Sequence, residues 1–281
     1  MLQECGSEVH GTYRSRPPSP GIIAHHAILP EDASAVIGRV RPEVVIHLAC
    51  PISHSTDSAQ YDRLRTGILD ATMAVAAACH THGARLLHVG SCAEYGDHPA
   101  PYHEAMAPRP VSPYATLKAA ASMWVLSLTR SSDLQATVVR PFRAIGTGDQ
   151  SSVVSLALRA AIAGTDLALT DGAQVREWND VSAIAHGLLA AAAHPGTLGE
   201  TLNLGGGPQL SVRQIVEMAF DIADGDPAHL RFGALPRRPG EVALFCGDHR
   251  RAAALLGPLP HPPVEQTLHD ALAWIRDADH H

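Results

Sequence analysis

The pattern of hydrophobic and polar positions alternates between short apolar runs and longer Ala-rich segments. Short apolar runs indicate strands buried in a parallel sheet, and Ala-rich runs indicate helices. Strands are predicted at residues 8–14, 44–50, 84–91 and 136–142. Helices between them are predicted notably at residues 66–82 and 115–129. The alternation predicts a doubly wound α/β sheet, whose ligands bind beyond the carboxyl ends of the strands.

After about residue 148 the alternation of strands and helices becomes less regular, and helices, short strands and loops rich in Pro and Gly follow. Helices are predicted at residues 152–164, 181–194, 211–224 and 264–277, with a strand in ETLNLGGG. We therefore divide the chain into a sheet domain, residues 1–147, and a smaller region, residues 148–281, that folds against it. The binding cleft is expected between the two.

Composition and charge narrow the class of protein. The chain has 281 residues, of which 46% are hydrophobic and 17% charged, so it can bury a full core. Its formal charge is -7 and its Lys and Arg are dispersed, which argues against nucleic acid as a partner. No apolar run is long enough for a membrane span, and the start of the chain does not read as a signal peptide. We expect a cytoplasmic protein.

Cysteine and histidine usage argues against a metal site. The five cysteines are scattered and form no Cys-x-x-Cys pair, which suits a reducing compartment rather than a disulfide framework or structural zinc. The group Cys79, His80 and His82 is the most metal-like. It lies where a helix runs into Gly83, and polar residues are common in the last turn of a helix. No metal is predicted.

The first candidate catalytic residues lie in VSPYATLKAAA, residues 111–121. Pro113 is a credible helix start, and Tyr114 and Lys118 then share one helix face. An isolated Tyr-x-x-x-Lys spacing more often reflects a tyrosine packed against its helix beside a solvated lysine, without a catalytic role. Its surroundings change that interpretation, because the strand that precedes it ends in GSCAEYG and places Ser91 at its carboxyl tip.

Ser91, Tyr114 and Lys118 in this order resemble the catalytic set of the extended short-chain dehydrogenase/reductase family, which includes nucleotide-sugar epimerases, dehydratases and ketoreductases. VVIHLAC resembles the strand that lines the cofactor in that family, and SPYATLK its Ser-Pro-Tyr-x-x-x-Lys motif. VVRPFRAIGTGD resembles its Arg-Pro-Phe-Asn stretch, with Arg143 in place of Asn. DGAQVREW, LNLGGG and RRPGE resemble later segments, the first and last of which bind substrate. The resemblance covers nearly the whole chain and implies a Rossmann-like dinucleotide-binding domain over residues 1–147, with residues 148–281 mainly binding substrate.

The resemblance implies a role for each residue of the set. Tyr114 exchanges a proton with the substrate oxygen, Lys118 lowers the pKa of Tyr114 and binds the nicotinamide ribose, and Ser91 stabilises the developing alkoxide. The cofactor-binding residues would be Arg14, Leu48, Ala49, Cys50, Tyr114, Lys118 and Pro141. The substrate-binding residues would be Ser91, Arg143, Arg176 and Arg238. Arg176 and Arg238 suit a diphosphate, although each could instead form a surface salt bridge.

The chain departs from the family in two places. It has no strand followed by Gly-x-x-Gly-x-x-Gly, the turn that brings backbone amides to the pyrophosphate. The first βα unit is therefore expected to be absent, either through truncation or through loss of the pyrophosphate grip, and the neighbouring strand edges are expected to be unpaired. Residues 63–72 also lack the helix Asn that is usual in the family.

The end of the first predicted strand bears on cofactor choice. NAD-preferring members place an acidic residue there, whereas GTYRSR has Tyr13 followed by Arg14 and Arg16, so NADP is favoured and NAD stays possible. The places of the dehydratase carboxylate hold Cys92 and Ala93, which disfavours dehydration.

Three functions follow from the resemblance. The favoured one is a 4-ketoreductase that acts on a nucleotide-linked 4-keto-6-deoxyhexose, because the segments around Ser91, Tyr114 and Arg176 most resemble those reductases. A 4-epimerase with the same three residues is the alternative, and a non-catalytic relative is the third. A homodimer through the Tyr114 helix and its neighbour is also implied.

Overall fold

A computed structural model describes residues 6–52, 57–237 and 241–278. The predicted α/β class with parallel strands is confirmed. The chain forms two compact units that interleave along the sequence. The first comprises Met1–Glu94, Ser112–Val138 and Thr197–Thr201, and the second Tyr95–Val111, Val139–Gly196 and Leu202–His281. The division into residues 1–147 and 148–281 by function stays a prediction.

The strands and helices follow the order of the predicted pattern, with additional short elements. The strands are β1 His10–Tyr13, β2 Ile23–His26, β3 Val44–His47, β4 Arg85–Val89, β5 Ala136–Pro141, β6 Ala144–Ile145, β7 Leu167–Leu169, β8 Val175–Glu177, β9 Asn179–Asp180, β10 Thr201–Leu204, β11 Gln209–Ser211, β12 Leu230–Phe232 and β13 Leu244–Phe245. The helices are α1 Ala33–Val40, α2 Ala59–Leu64, α3 Ala71–His82, α4 Pro113–Ser131, α5 Val153–Ala163, α6 Val181–Ala193, α7 Val212–Ile222, α8 Arg250–Leu256 and α9 Val264–Ala278. A π-helical segment, Arg65–Asp70, joins α2 to α3.

Two parallel pairings organise the first unit. β1 pairs with β2, and β3 pairs with β4 in a sheet whose strand order is β10-β5-β4-β3. Among the described residues, no strand pairs with the outer edge of β3 or joins β1 to that sheet. The expectation of unpaired strand edges stays a prediction. The expected burial of the strand at residues 44–50 is wrong in part, because Val44 is 36% and Leu48 58% exposed at this open edge.

Helix α4 is the best-defined predicted helix, and its bounds follow from its end residues. Ser112 has extended backbone, and its Oγ accepts a hydrogen bond of 3.2 Å from the backbone N–H of Ala115. Pro113 in the first turn lacks the N–H that would otherwise need a partner. The buried face of the helix is made mostly of small residues, namely Ala115, Lys118, Ala119, Ala121, Ser122 and Val125. Small side chains allow the helix to lie close to its neighbours.

The second unit has its own apolar core. Helices α5, α7 and α9 contact one another there, around the fully buried Trp178 and Ile215. Helix α7 begins with a capping box, in which Ser211 and Gln214 satisfy each other's backbone N–H groups. Across the described part of the chain, every helix is too short or too polar to span a bilayer.

Two buried histidines face each other between β3 and β4. His47 lies opposite His88 in the strand register, with ring centroids 5.9 Å apart. Burial, with the charge of Lys118, lowers the pKa of His47 to about 4. Burial also lowers the pKa of His88 well below its usual range, with contributions from His47 and Lys118. Neither ring nitrogen of His88 has a hydrogen-bond partner among the described residues. Both rings are therefore neutral at neutral pH.

We expect the free energy of unfolding to fall as the pH is lowered from about 6.5 to about 4. In that range the unfolded histidines bind protons that folded His47 and His88 do not, so acid favours the unfolded state. Each unit of difference in pKa between the two states corresponds to about 1.4 kcal/mol. Urea denaturation at a series of pH values measures the slope.

His88→Leu should flatten this dependence, because it removes a buried group that cannot accept a proton in the folded state. The matched control is His80→Leu, since His80 is exposed near the end of α3 and its replacement should leave the slope unchanged. An equal slope in wild type and His88→Leu would show that this ring does not set the acid sensitivity.

Candidate active site

Three polar side chains on one face of α4 reach the end of β4 and the turn that follows it. Tyr114, Lys118 and Ser122 are spaced by four residues and therefore share a face. Tyr114 is hydrogen-bonded to the side chain of Ser91, and the Nζ of Lys118 donates to the backbone oxygen of Val89 at 2.8 Å. The Oγ of Ser122 donates to the Oε1 of Glu94 at 2.9 Å. The structure thus brings together the predicted Ser91, Tyr114 and Lys118.

The turn that carries Ser91 is closed by its own hydrogen bonds. The backbone N–H of Ser91 donates to Oε1 of Glu94 at 2.8 Å, and the N–H of Glu94 donates to the backbone oxygen of Ser91 at 3.1 Å. The N–H of Ala93 donates to Oγ of Ser91 at 3.2 Å. This resembles a capping box at the start of the short 3₁₀ helix Cys92–Tyr95. Because Oγ of Ser91 already accepts from Ala93, its proton is directed to another acceptor, the Tyr114 oxygen.

The Tyr114 hydroxyl also contacts the thiol of Cys50, and both side chains pack on a small cluster formed by Leu64, Ile68 and Ala121. Burial is the largest cause that raises the pKa of Tyr114, and the charge and hydrogen bond of Cys50 raise it further. The hydrogen bond from Ser91 lowers the pKa, because it stabilises the phenolate. The pKa of Tyr114 is therefore raised, contrary to the lowering expected from Lys118, because burial dominates.

The Lys118 ammonium is almost fully buried and lies next to the histidine pair. Its charge acts on His47 and His88, whose pKa values it lowers after the larger effect of burial. An ammonium has three N–H donors, and in the described part of the chain only Val89 accepts from it. Its other donors can serve an oxygen-rich ligand, which fits the ribose hydroxyls expected from the sequence.

The other predicted cofactor residues lie at strand ends. Leu48 and Ala49 are exposed and Cys50 is half-buried just after β3, while Arg14 is exposed just after β1. Pro141 ends β5 in the second unit and is half-buried. A shared cofactor-binding role for these residues stays a prediction from the sequence. The chain carries no Gly-rich turn for the pyrophosphate, and β1 leads into Arg14-Ser15-Arg16-Pro17-Pro18.

The predicted substrate arginines have different environments in the second unit. Arg143 is exposed, and its guanidinium lies 5.6 Å from the centre of the Trp178 ring. Arg176 is largely buried and donates to Oε1 of Glu241 at 3.0 Å and to the backbone oxygens of Val175 and Val242. These bonds correspond to the salt-bridge alternative, and a phosphate-binding role of Arg176 stays a prediction. Arg238 lies outside the described residues.

Another buried ion pair holds loops of the second unit together. The Nε2 of His249 lies 2.8 Å from Oε2 of Glu177, whose carboxylate also accepts from the backbone N–H groups of Gly206 and Gly247. Burial opposes both charges, but the partners raise the pKa of His249 and lower that of Glu177. A side chain at Gly205 would lie 2.0 Å from Oε1 of Glu177, so this glycine cannot carry a Cβ without rearrangement.

Sequence reasoning missed two residues of the site, Glu94 and Ser122. Glu94 had a detectable signal, because Ser91 and Glu94 have the Ser-x-x-Glu spacing of a capping box. Ser122 was also detectable, as the next position after Tyr114 and Lys118 on the same helix face. Within residues 6–52, 57–237 and 241–278, no three His, Cys, Asp or Glu side chains form a group that could hold a metal ion.

Comparison with known proteins identifies the family of the chain. A model of the NAD dependent epimerase/dehydratase family matches residues 1–205. The UDP-glucose 4-epimerase of Mycolicibacterium smegmatis is 28% identical over 260 residues, which covers 89% of this chain and 81% of that protein. The GDP-6-deoxy-D-mannose reductase of Pseudomonas aeruginosa is 28% identical over 248 residues, covering 83% and 80%. The match to UDP-arabinose 4-epimerase 1 of Arabidopsis thaliana is 26% identical over 260 residues, with 83% of this chain but only 61% of that protein covered.

Among solved structures, MoeE5 in complex with UDP-glucuronic acid and NAD has a TM-score of 0.89 and 25% sequence identity. The similarity covers 99% of this chain and 93% of MoeE5, and it supports the Rossmann-like fold predicted from the sequence. The family model spans well over half of the chain, and the Ser, Tyr and Lys side chains lie where one reaction could use them. The chain belongs to the NAD-dependent epimerase/dehydratase family.

Proposed function

We propose that the chain interconverts an alcohol and a ketone at C4 of a nucleotide-linked sugar, with reduction of a 4-keto-6-deoxyhexose as the favoured reaction. The observation that carries the proposal is the hydrogen bond between Ser91 and Tyr114, with Lys118 one helical turn further along the same face. Carbonyl reduction needs a proton donor at the oxygen that gains charge and a second donor that stabilises this charge. Tyr114 and Ser91 supply these two groups.

The protonation state of Tyr114 supports reduction in particular. Burial raises its pKa, so the phenol carries its proton at physiological pH and is ready to donate it. Ser91 holds the substrate oxygen next to the phenol, and Lys118 holds ribose hydroxyls and places positive charge close by. A bound nicotinamide supplies the hydride. An enzyme that first oxidises the alcohol needs the phenolate instead, which burial of Tyr114 disfavours.

The substrate class rests on the relatives and on the arginines of the second unit. The relatives named above act, by their names, on UDP- and GDP-linked sugars, and MoeE5 binds a UDP-sugar. Arg143 is exposed and could pair with a diphosphate, and Arg176 could do so if it left Glu241. Arg238 has the same proposed role on the grounds of sequence alone.

A 4-epimerase is the second candidate, because two of the relatives described above are 4-epimerases. It would use Ser91, Tyr114 and Lys118 in both directions and retain its cofactor between the two hydride transfers. A non-catalytic relative, the third alternative from the sequence, is disfavoured because the relatives are nucleotide-sugar epimerases and reductases. Formation of a homodimer and a cytoplasmic location stay predictions.

The proposal is tested by assaying the full chain with two substrates. With NADPH and GDP-4-keto-6-deoxymannose, a 4-ketoreductase consumes NADPH, which is followed by absorbance at 340 nm. With UDP-glucose and no added cofactor, a 4-epimerase forms UDP-galactose, which is resolved by chromatography. We expect the first reaction. Conversion of UDP-glucose alone would favour the epimerase, and failure to bind NADPH or NADH in calorimetry together with no turnover would favour the non-catalytic relative.

Tyr114→Phe should lower kcat by about a hundredfold or more and leave cofactor affinity within about twofold, because only the transferable proton is removed. Tyr61→Phe is the matched control, since Tyr61 is exposed on α2. Lys118→Ala should lower both kcat and cofactor affinity, because Lys118 would serve phenol and ribose together. Steady-state kinetics and calorimetry separate the effects, and near-normal turnover by Tyr114→Phe would refute the mechanism.

Arg14 makes cofactor preference testable. We propose that its exposed guanidinium binds the 2′-phosphate of NADP, as no carboxylate stands at the end of β1. Arg14→Ala should weaken NADPH binding by about tenfold, the equivalent of one charge-assisted hydrogen bond, and leave NADH binding unchanged. Arg63→Ala, at an exposed site on α2, is the control. Equal losses for NADPH and NADH would contradict a phosphate contact.

A further inference from the structure

Glu94 is a fully buried carboxylate at the point where the Ser91 turn meets helix α4. Its relative exposure is 0%, and its Oε1 accepts two hydrogen bonds, from the backbone N–H of Ser91 at 2.8 Å and from Oγ of Ser122 at 2.9 Å. A carboxylate removed from water is costly unless hydrogen bonds replace its solvation. The folded state therefore holds these donors firmly around one oxygen atom.

The two donors belong to the two segments that must meet in the site. Ser91 lies in the turn after β4, and Ser122 lies two helical turns beyond Tyr114 on the same face of α4. A single oxygen atom thus joins the segment that carries the Ser91 hydroxyl to the helix that carries Tyr114. The spacing between Ser91 and Tyr114 is limited by these two bonds.

We propose that Glu94 is a positioning residue, which fixes the Ser91 hydroxyl against Tyr114 by tying the turn to Ser122. The inference rests on the proposed function for its effect on turnover. Reaction rates are sensitive to small misplacements of such groups, and a shift of about 1 Å can cost about a hundredfold. Because Glu94 is fully buried, it acts through Ser91 rather than on the substrate.

The geometry also explains why the orientation of Ser91 depends on the hydrogen-bond acceptor of Glu94 and not only on the size of its side chain. The Ser91 Oγ accepts from the N–H of Ala93, and the Ser91 N–H donates to Glu94, so both polar groups of the serine are fixed by the turn. Loss of the Glu94 acceptor leaves a part-buried N–H without its partner, which favours opening of the turn. The Ser91 hydroxyl then has no fixed direction.

Turnover separates positioning from a general loss of structure. Glu94→Ala should lower kcat by about thirtyfold and change KM and cofactor affinity by less than about twofold, since only the alignment of Ser91 is lost. Glu94→Gln keeps an oxygen acceptor of the same reach and should retain kcat within about fivefold. Ser122→Ala should lie between them, and Ser127→Ala, an exposed serine of α4, is its matched control.

A double-mutant cycle tests whether the effect passes through Ser91. In a Ser91→Ala background, the further change Glu94→Ala should have almost no effect on kcat, because the group that it positions is already absent. Multiplication of the two single effects would overturn the inference, as would an equal loss of kcat in Glu94→Gln and Glu94→Ala.

Hydrogen exchange provides a separate test of the proposal that needs no substrate. Glu94→Ala should speed exchange by about tenfold or more in a peptide that spans residues 90–96, because the N–H of Ser91 loses its acceptor. Exchange in α7 should not change, and Glu94→Gln should resemble wild type. Unchanged exchange at residues 90–96 would overturn the inference. Wild-type protein without turnover on any nucleotide sugar would count against the proposed function, while the exchange result would still decide the link between Glu94 and Ser91.

Discussion

The contact between one face of helix α4 and the end of strand β4 is the constraint on which the site depends. Small residues such as Ala115 and Ala119 are buried on this helix, so its backbone can lie close to its neighbours. Tyr114, Lys118 and Ser122 then reach their partners at successive turns. The buried polar groups of Lys118 and Glu94 require these bonds, because an unpartnered polar group in the interior is costly. The need to satisfy these groups therefore fixes the relative position of helix and strand.

The same burial sets the electrostatics of the site. It raises the pKa of Tyr114 and lowers the pKa values of His47 and His88, so the phenol and both imidazoles are neutral at physiological pH. The charge of Lys118 reinforces the neutrality of the histidines, which therefore do not compete with it as cations. Lys118 is thus a cation one helical turn from the protonated phenol, and a protonated phenol is suited to donating a proton to a carbonyl oxygen.

Most of what the sequence predicts rests on the spacing of residues that are close together in the chain. The i, i+4 spacing of Tyr114 and Lys118, and the place of Ser91 after a strand, depend on neighbours in sequence, and the structure agrees with both. What the sequence did not predict depends on distant residues or on solvent. The ion pair of Arg176 joins a partner 65 residues away, and the raised pKa of Tyr114 comes from burial, which spacing does not report. Strand β2 and helix α1, Ile23–His26 and Ala33–Val40, are short and were not predicted.

Among the described residues, β3 is the edge strand of its sheet, and the predicted cofactor residues and the proton-transferring residues follow different strands. The predicted cofactor residues Leu48 and Ala49 follow this edge strand and are exposed, whereas Ser91 follows β4, an interior strand of its sheet. Lys118 and Glu94 hold α4 to the end of β4 through hydrogen bonds with Val89, Ser91 and Ser122. The alignment of Ser91 and Tyr114 therefore rests mainly on contacts between α4 and the segment after β4. Cys50, which also follows β3, contacts the Tyr114 hydroxyl, so the segment after β3 meets the proton-transferring groups at this side chain.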